Sequence, residues 1–349
     1  MKKLKQLLRD VRIALGKLIL DSNKAVLDTA ELQPIKSILF LRQDGKIGDY
    51  IVSSFVFREL KKQNPNIKIG VVCSDKSLFE KNPNIDILYP VRKKNILDYV
   101  KTGIQLRKEH YDVLIDPTVF LRNRDLLLIR LINAEVNIGY LKADYQMFNL
   151  SIDNQQLHFS KVYINALNLL GIAQVDSRYD IVRDDESERK IAEFIKYNNL
   201  QQIIALNCFG AARARRFSDN NIRRLLDRLT SLCPQKSIIL LAYPQVTQQL
   251  AEIAKQYVNV MVYENTQSIF DSIAIIRAAE TVISPDTAIV HIASGLEKNL
   301  IAFYQDKTLA PINFAHWQPN NSAQTHILFY QNHINEIVAE DIQADWVNV

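Results

Sequence analysis

The chain has 349 residues, of which 48% are hydrophobic and 23% charged, with a net charge of +5. That length suggests two domains, and the balance is that of a globular chain with a sizeable core, which excludes a disordered or fibrous protein. So modest a charge gives no argument for nucleic acid, and no RNP, helix-turn-helix or zinc-finger signature is present.

The chain opens on a basic segment, residues 2–24. Leu4, Leu8, Val11, Leu15 and Leu18 recur at helical spacing, widened by Leu7, Ile13 and Ile19. Arg12 and Lys17 interrupt the apolar stripe, so it does not read as a secretory signal. Two readings stand side by side: a helix packed on the first domain, or an amphipathic helix lying on an anionic membrane.

Ile38–Leu41 is a short apolar run, as expected of a parallel strand covered on both faces. Gln43-Asp44-Gly45-Lys46 breaks it, and Gly48-Asp49 opens an amphipathic pattern running to about Lys62. Strands are then expected at Lys68–Cys73, Ile87–Tyr89, Val113–Asp116 and Val136–Tyr140. They alternate with helices at Asn95–Arg107, Asp125–Ile132 and Lys161–Leu170. Ile172–Asp185 lacks a pattern and reads as a linker. A second series follows, with helices at Glu188–Tyr197, Asn221–Leu232, Val246–Gln256 and Ser268–Ala279 and strands at Ile203–Leu206, Ser237–Ala242, Asn259–Val262, Thr281–Ser284 and Leu300–Tyr304. The tail Ile334–Asp345 is expected to be helical. Such alternation implies parallel sheets with crossover helices, and the economical reading is an α/β chain of two Rossmann-like domains with a cleft between them.

The three cysteines, Cys73, Cys208 and Cys233, stand far apart, which speaks against a disulfide framework or a CxxC metal site. No apolar run approaches the length of a membrane-spanning helix.

Three clusters carry candidate chemistry. The first is Gly48-Asp49, a carboxylate where open α/β sheets hold their ligands, or else simply a helix-start residue. The second is Ser284–Ser294, SPDTAIVHIAS, a strand end and helix start bearing Asp286, Thr287 and His291. Its helix N-terminus suits a phosphate and Asp286 suits sugar hydroxyls; the plain alternative is a capped helix with a satisfied His291. The third is the loop Asn207–Asp219 with Arg213, Arg215 and Arg216, either a solvated loop or a clamp for an anionic leaving group.

Together these clusters resemble the lipopolysaccharide heptosyltransferases, glycosyltransferase family 9. The family's R-x(n)-G-D turn is matched by Arg42 and Gly48-Asp49, and its D-[ST]-G-x-x-H-[LI]-A motif by Asp286 through Ala293. Arg215, Arg216 and Phe217 match its basic loop, and Tyr111–Asp116 followed by Arg122 resembles a further element. The likeness spans roughly residues 37–305. Ala288 stands where the family has glycine, which is costly at positive φ and harmless in a helix. The DGKIGD spelling looks most like the branch that adds the first heptose to Kdo on lipid A.

The resemblance implies a GT-B fold: two Rossmann-like domains facing a central cleft. Residues 1–36 would form the basic segment, 37–175 the acceptor domain and 176–349 the nucleotide-sugar domain. It implies inverting transfer from ADP-heptose, with Asp49 as base. The donor would meet Arg215, Arg216, Asp286, Thr287, Ala288 and His291, and the acceptor Lys46, Lys61, Arg122 and Arg124. No Asp-x-Asp pair occurs in the chain, so neither metal nor cofactor is expected. The enzyme would act at the cytoplasmic face of the inner membrane. A non-catalytic sugar-nucleotide binder, a relative with another donor or a later core acceptor, and a nucleotide-sugar epimerase are the competing readings. A dinucleotide oxidoreductase is disfavoured because the first βα turn lacks GxGxxG.

Overall fold

The structure is a computed structural model that describes residues 2–24 and 34–348. It divides into two compact units, Met1–Ser177 and Arg178–Val349.

The first unit contains α1 (Lys2–Leu20), β1 (Ser37–Arg42), α2 (Ile47–Gln63), β2 (Lys68–Cys73), β3 (Ile87–Pro90), α3 (Ile96–Arg107), β4 (Val113–Asp116), α4 (Asn123–Ile132), β5 (Val136–Tyr140), β6 (Leu150–Ile152) and α5 (Phe159–Leu169). Its strands form one six-stranded sheet in the order β3-β2-β1-β4-β5-β6, with every pairing parallel. Period-two alternation divides β1 between the two faces of this sheet. Leu39 and Leu41 join a core with Tyr99, Leu126 and Ile129 from α3 and α4. Phe40 meets Phe57 of α2 edge-on, and Arg42 reaches Tyr163 of α5.

The second unit contains α6 (Asp185–Tyr197), β7 (Ile204–Leu206), α7 (Asp219–Leu232), β8 (Ile238–Leu240), α8 (Thr247–Ala254), β9 (Val260–Val262), α9 (Ile269–Ala278), β10 (Thr281–Pro285), α10 (Ala288–Gly295), β11 (Asn299–Gln305), α11 (Pro311–Trp317), β12 (Thr325–Tyr330) and α12 (Ala344–Val347). Its sheet order is β12-β11-β10-β7-β8-β9. Numbered within the unit and read from the other edge, that is 3-2-1-4-5-6, the same doubly wound order as the first unit.

Side-chain caps set several helix starts. Asn95 caps α3, Ser218 caps α7, and Ser268 with Asp271 forms a capping box on α9. Asp184 caps α6, which therefore begins inside the expected linker.

Three elements go beyond the sequence reading: β6, α11 and β12. The two strands lie at sheet edges and are incompletely buried, which weakens their apolar signal. The tail is not one helix. It forms short 3-10 turns at Ile334–Glu336 and Ala339–Asp341 before α12. The Glu336 carboxylate accepts from the backbone N–H groups of Gln331, Asn332 and His333, fixing a turn where a helix was expected.

α1 lies along α4. Asn123 Nδ2 donates to the Arg12 carbonyl, Arg130 Nη1 donates to that of Ile19, and Gly16 sits where a Cβ would strike the Asn123 side chain. Leu15, Leu18 and Ile19 remain exposed, Leu18 at 81%. The side chains of Leu4, Leu7 and Leu8 in the expected stripe lie outside the described residues. No described helix is long and apolar enough to cross a membrane.

Candidate active site

In a doubly wound sheet the strand order reverses between the first and fourth strands, and their carboxyl ends splay open to form a ligand crevice. The first unit places Asp49 after β1 and Asp116 at the end of β4. The second places Asn207 after β7 and Asp286 after β10.

In the first unit the chain leaves β1 through Gly45, whose φ of +58° lies in the left-handed region. A Cβ there would also collide with Ser74 Oγ. This turn brings Asp44 and Lys46 back beside the start of α2. Arg42, only 2% exposed, donates from Nη1 to Tyr163 Oη at 3.0 Å. Its Nη2 lies 3.6 Å from Asp44 Oδ1 and 3.8 Å from Asp49 Oδ1. Its Nε and Nη2 make no hydrogen bond among the described residues. Lys46 Nζ approaches Asp49 Oδ2 to 3.7 Å from the solvent side.

Burial works against the Arg42 charge, but Asp44, Tyr163, Asp49 and Asp116 together raise its pKa above the ordinary value. The Asp49 carboxyl is pushed up by burial and by Asp44, and drawn down by Arg42 and Lys46, with a net rise. Behind this group, Asp116 is fully buried. Its carboxylate accepts from the Thr118 N–H and hydroxyl, and burial raises its pKa while Lys142 opposes that rise.

α4 starts at the same edge of the sheet. Asp125 accepts from the Arg122 N–H through Oδ2 and from Gln43 Nε2 through Oδ1. Arg122 therefore opens the helix with its side chain exposed, and Arg124 packs over the Tyr99 ring.

In the second unit β10 ends in Ser284-Pro285, and Thr287 caps α10 by accepting from the Ile289 N–H. Ala288 opens that helix and is absent from the positive-φ positions, so alanine in place of glycine is harmless. Asn207 Nδ2 ties the two strand ends together, donating to Ser284 Oγ at 3.1 Å and to Thr287 Oγ1 at 3.2 Å. The basic loop folds back on itself: the Gly210 N–H donates to the Arg215 carbonyl, and a Cβ at Gly210 would lie 2.7 Å from Arg215 Cβ. Arg215 Nη1 donates to both the carbonyl and Oδ2 of Asp286, each at 2.8 Å. Arg216 stacks over Phe209 and donates to Tyr243 Oη at 2.8 Å. Burial raises the Asp286 carboxyl and Arg215 counteracts it.

Asp49, Lys46, Arg122 and Arg124 thus share one edge of the first sheet, and Arg215, Asp286, Thr287 and Ala288 share one edge of the second. One expected residue is placed away from these edges. Lys61 is three turns further along α2, about 18 Å from Asp49 at 1.5 Å per residue. Its amine donates to the Ile67 carbonyl and to both oxygens of Asp86. His291 is buried in α10, with its ring 5.9 Å from that of Trp317. Asp44, Tyr163 and Asn207 join the site only in the structure: in the sequence Asp44 reads as part of a turn that breaks the strand, Tyr163 as one more apolar position of α5 and Asn207 as the start of a polar loop.

The family model for glycosyltransferase family 9 (heptosyltransferase) matches residues 100–346, a span that includes Arg215 and Asp286 and starts beyond Asp49. A protein of Escherichia coli (strain K12), provisionally assigned as lipopolysaccharide heptosyltransferase 4, is 25% identical over 330 residues, covering 92% of this chain and 88% of its own. Among solved structures, a family 9 glycosyl transferase from Veillonella parvula DSM 2008 superposes with a TM-score of 0.68 at 19% identity, over 92% of this chain and 97% of that one. The Escherichia coli ADP-heptose lipopolysaccharide heptosyltransferase II gives 0.69 at 14% identity, over 89% and 97%. These likenesses establish the GT-B fold.

Proposed function

Because the chain belongs to glycosyltransferase family 9, the heptosyltransferases, we propose that it transfers L-glycero-D-manno-heptose from ADP-heptose to Kdo of lipid A in lipopolysaccharide core synthesis, inverting the anomeric centre. The reading rests chiefly on the placement of Asp49 and Asp286, each at the carboxyl edge of a doubly wound sheet where the strand order reverses.

In this reading residues 37–175 bind the acceptor and 176–349 the nucleotide sugar. The acceptor oxygen attacks the anomeric carbon and its proton passes to Asp49. The bond from that carbon to the β-phosphate oxygen breaks, and its electron pair leaves with ADP. Arg215, Arg216 and the N–H groups of Thr287 and Ala288 stabilise that developing charge. Arg215 exchanges the Asp286 carboxylate for phosphate, which frees Asp286 to orient the heptose hydroxyls. His291, in the first turn of α10, is a further donor-side group in this reading. Lys46, Arg122 and Arg124 hold the acceptor's carboxylates and phosphates; Lys61, engaged with Asp86, is not part of that set.

Since arginines and a helix end carry the leaving-group charge, transfer proceeds without a divalent cation. Complete loss of activity in EDTA, restored by magnesium, would contradict this. α1, with Leu15, Leu18 and Ile19 exposed and a basic composition, holds the protein to the anionic inner face of the bacterial inner membrane. Deleting residues 1–24 is expected to lower recovery on anionic vesicles while sparing transfer to a delipidated acceptor; equal recovery would refute the anchor.

The test of the main reading is a transfer assay with purified protein, ADP-heptose and Kdo-lipid A. Product from the native protein, lost in Asp49→Asn with donor binding retained, supports both the reaction and the base. A second reading, transfer to a later core acceptor, draws on the likeness to a relative assigned as lipopolysaccharide heptosyltransferase 4. Turnover on that substrate alone would move the reaction to a later step.

A further inference from the structure

Among the described residues, a small group around Arg42 gathers several buried polar atoms that lack a hydrogen-bond partner. The guanidinium sits under α2 and α5 and is hydrogen-bonded there by one nitrogen, Nη1, to Tyr163. The Arg42 Nε and Nη2 and the Asp44 Oδ1 are buried with no hydrogen bond among the described residues. Two carboxylates face the same Nη2 at nearly equal range, Asp44 at 3.6 Å and Asp49 at 3.8 Å. They reach it from different backbone elements, the turn after β1 and the first turn of α2.

We propose that Asp44 is a positioning residue that acts on the reaction through Asp49, its charge offsetting that of the Arg42 guanidinium which both carboxylates face. This rests on the reading of Asp49 as the base. The Arg42 charge acts on both carboxylates, and at Asp49 the like charge of Asp44 offsets part of it, so that Asp49 is held less firmly as a weakly basic, permanently paired anion. A base that must take a proton from a hydroxyl gains from this, because proton transfer is most efficient when the base titrates close to the working pH. Tyr163 fixes the arrangement from the far side, holding Nη1 so that Nη2 points between the carboxylates.

The charged and titratable groups facing Asp49 are Arg42 from β1, Asp44 and Lys46 from the turn, and Tyr163 from α5; Asp116 at the end of β4 faces Arg42 in turn. Arg42 and Lys46 lower the proton affinity of Asp49, whereas burial and Asp44 raise it. Removing the Asp44 charge therefore has one sign: Asp49 holds its proton less tightly.

The experiment is a carboxyl-carbon NMR titration of full-length protein labelled with ¹³C-aspartate, with the Asp49 resonance identified by its loss in Asp49→Asn. Asp44→Asn is expected to move the Asp49 midpoint down by about one pH unit, the usual scale for a neighbouring like charge. Asp44→Glu, which keeps the charge, is expected to return it toward the native value. An Asp49 midpoint unchanged in a folded Asp44→Asn protein would overturn the proposal. So would a midpoint that falls equally in Asp44→Glu, since loss of shape rather than charge would then be responsible. If Asp44→Asn does not fold, Asp44→Ser takes its place under the same criteria. The titration needs no substrate, so it stands apart from the transferase reading. In the transfer assay, the acidic limb of kcat/KM should shift down with the Asp49 midpoint. Undiminished turnover by Asp49→Asn would remove the base assignment itself.

Discussion

The two units set the same pair of residue types, an arginine and an aspartate, at the same topological point, and treat them in opposite ways. In the first, Arg42 is 2% exposed and stands 3.6–3.8 Å from two carboxylates, with donors left over. In the second, Arg215 is 35% exposed and lies 2.8 Å from one carboxylate, in direct contact. A buried guanidinium is a fixed charge with nowhere else to go, so it sets the electrostatics of whatever carboxylates face it. A half-exposed one can trade its partner for a ligand at little cost, because water screens both states. The first arrangement suits a group whose proton affinity must be held. The second suits a group that must let go of its partner when an anion arrives.

The largest expected contrast is catalytic. Asp49→Asn should lower kcat by about 10³-fold, within the range for loss of a general base. Asp286→Asn should act mainly on donor binding and reduce kcat far less. Equal kcat losses, measured under saturating donor, would erase the division of labour. Stability should follow the burial of the two arginines. Arg42→Met is expected to cost about 3 kcal/mol, because it strips a buried ion group of its counter-charge. Arg215→Met should cost about 1 kcal/mol or less, as for other partly exposed pairs. Urea titrations of the two variants decide this, and a larger loss at Arg215 would reverse the comparison.

Donor affinity should show the converse. Arg215→Met is expected to weaken ADP binding by about tenfold or more, the worth of a charge-assisted hydrogen bond, as read by calorimetry. The smallest effect concerns pH. Asp286 binds its proton more tightly folded than unfolded, so its contribution to stability is fully present below the ordinary carboxylate range and is lost as pH rises through the raised value. The stability of the native protein relative to Asp286→Asn should therefore fall as pH rises from about 4. A difference that grows with pH would mean that the Arg215 contact outweighs burial.

The sequence by itself determined the features whose causes are local. Apolar runs of strand length, amphipathic runs of helix length and the breakers between them specified two successive α/β series, because the periods of 2 and 3.6 are written in neighbouring residues. The Gly48-Asp49 and Asp286-Thr287 sites were legible for the same reason, each lying at a helix start a few residues or fewer after a strand end. What only the tertiary structure decided is which distant groups those turns meet. Tyr163 lies 121 positions from Arg42, and Asn207 lies 77 from Ser284 and 80 from Thr287. The edge strands β6 and β12 depended on neighbours for their pairing, and the engagement of Lys61 with Asp86 depended on the fold. Sheet order chooses these partners, since it fixes which strand ends stand side by side and which face each helix covers. A polar group buried under such a face must be satisfied by whatever that packing delivers. No short stretch of sequence encodes that outcome.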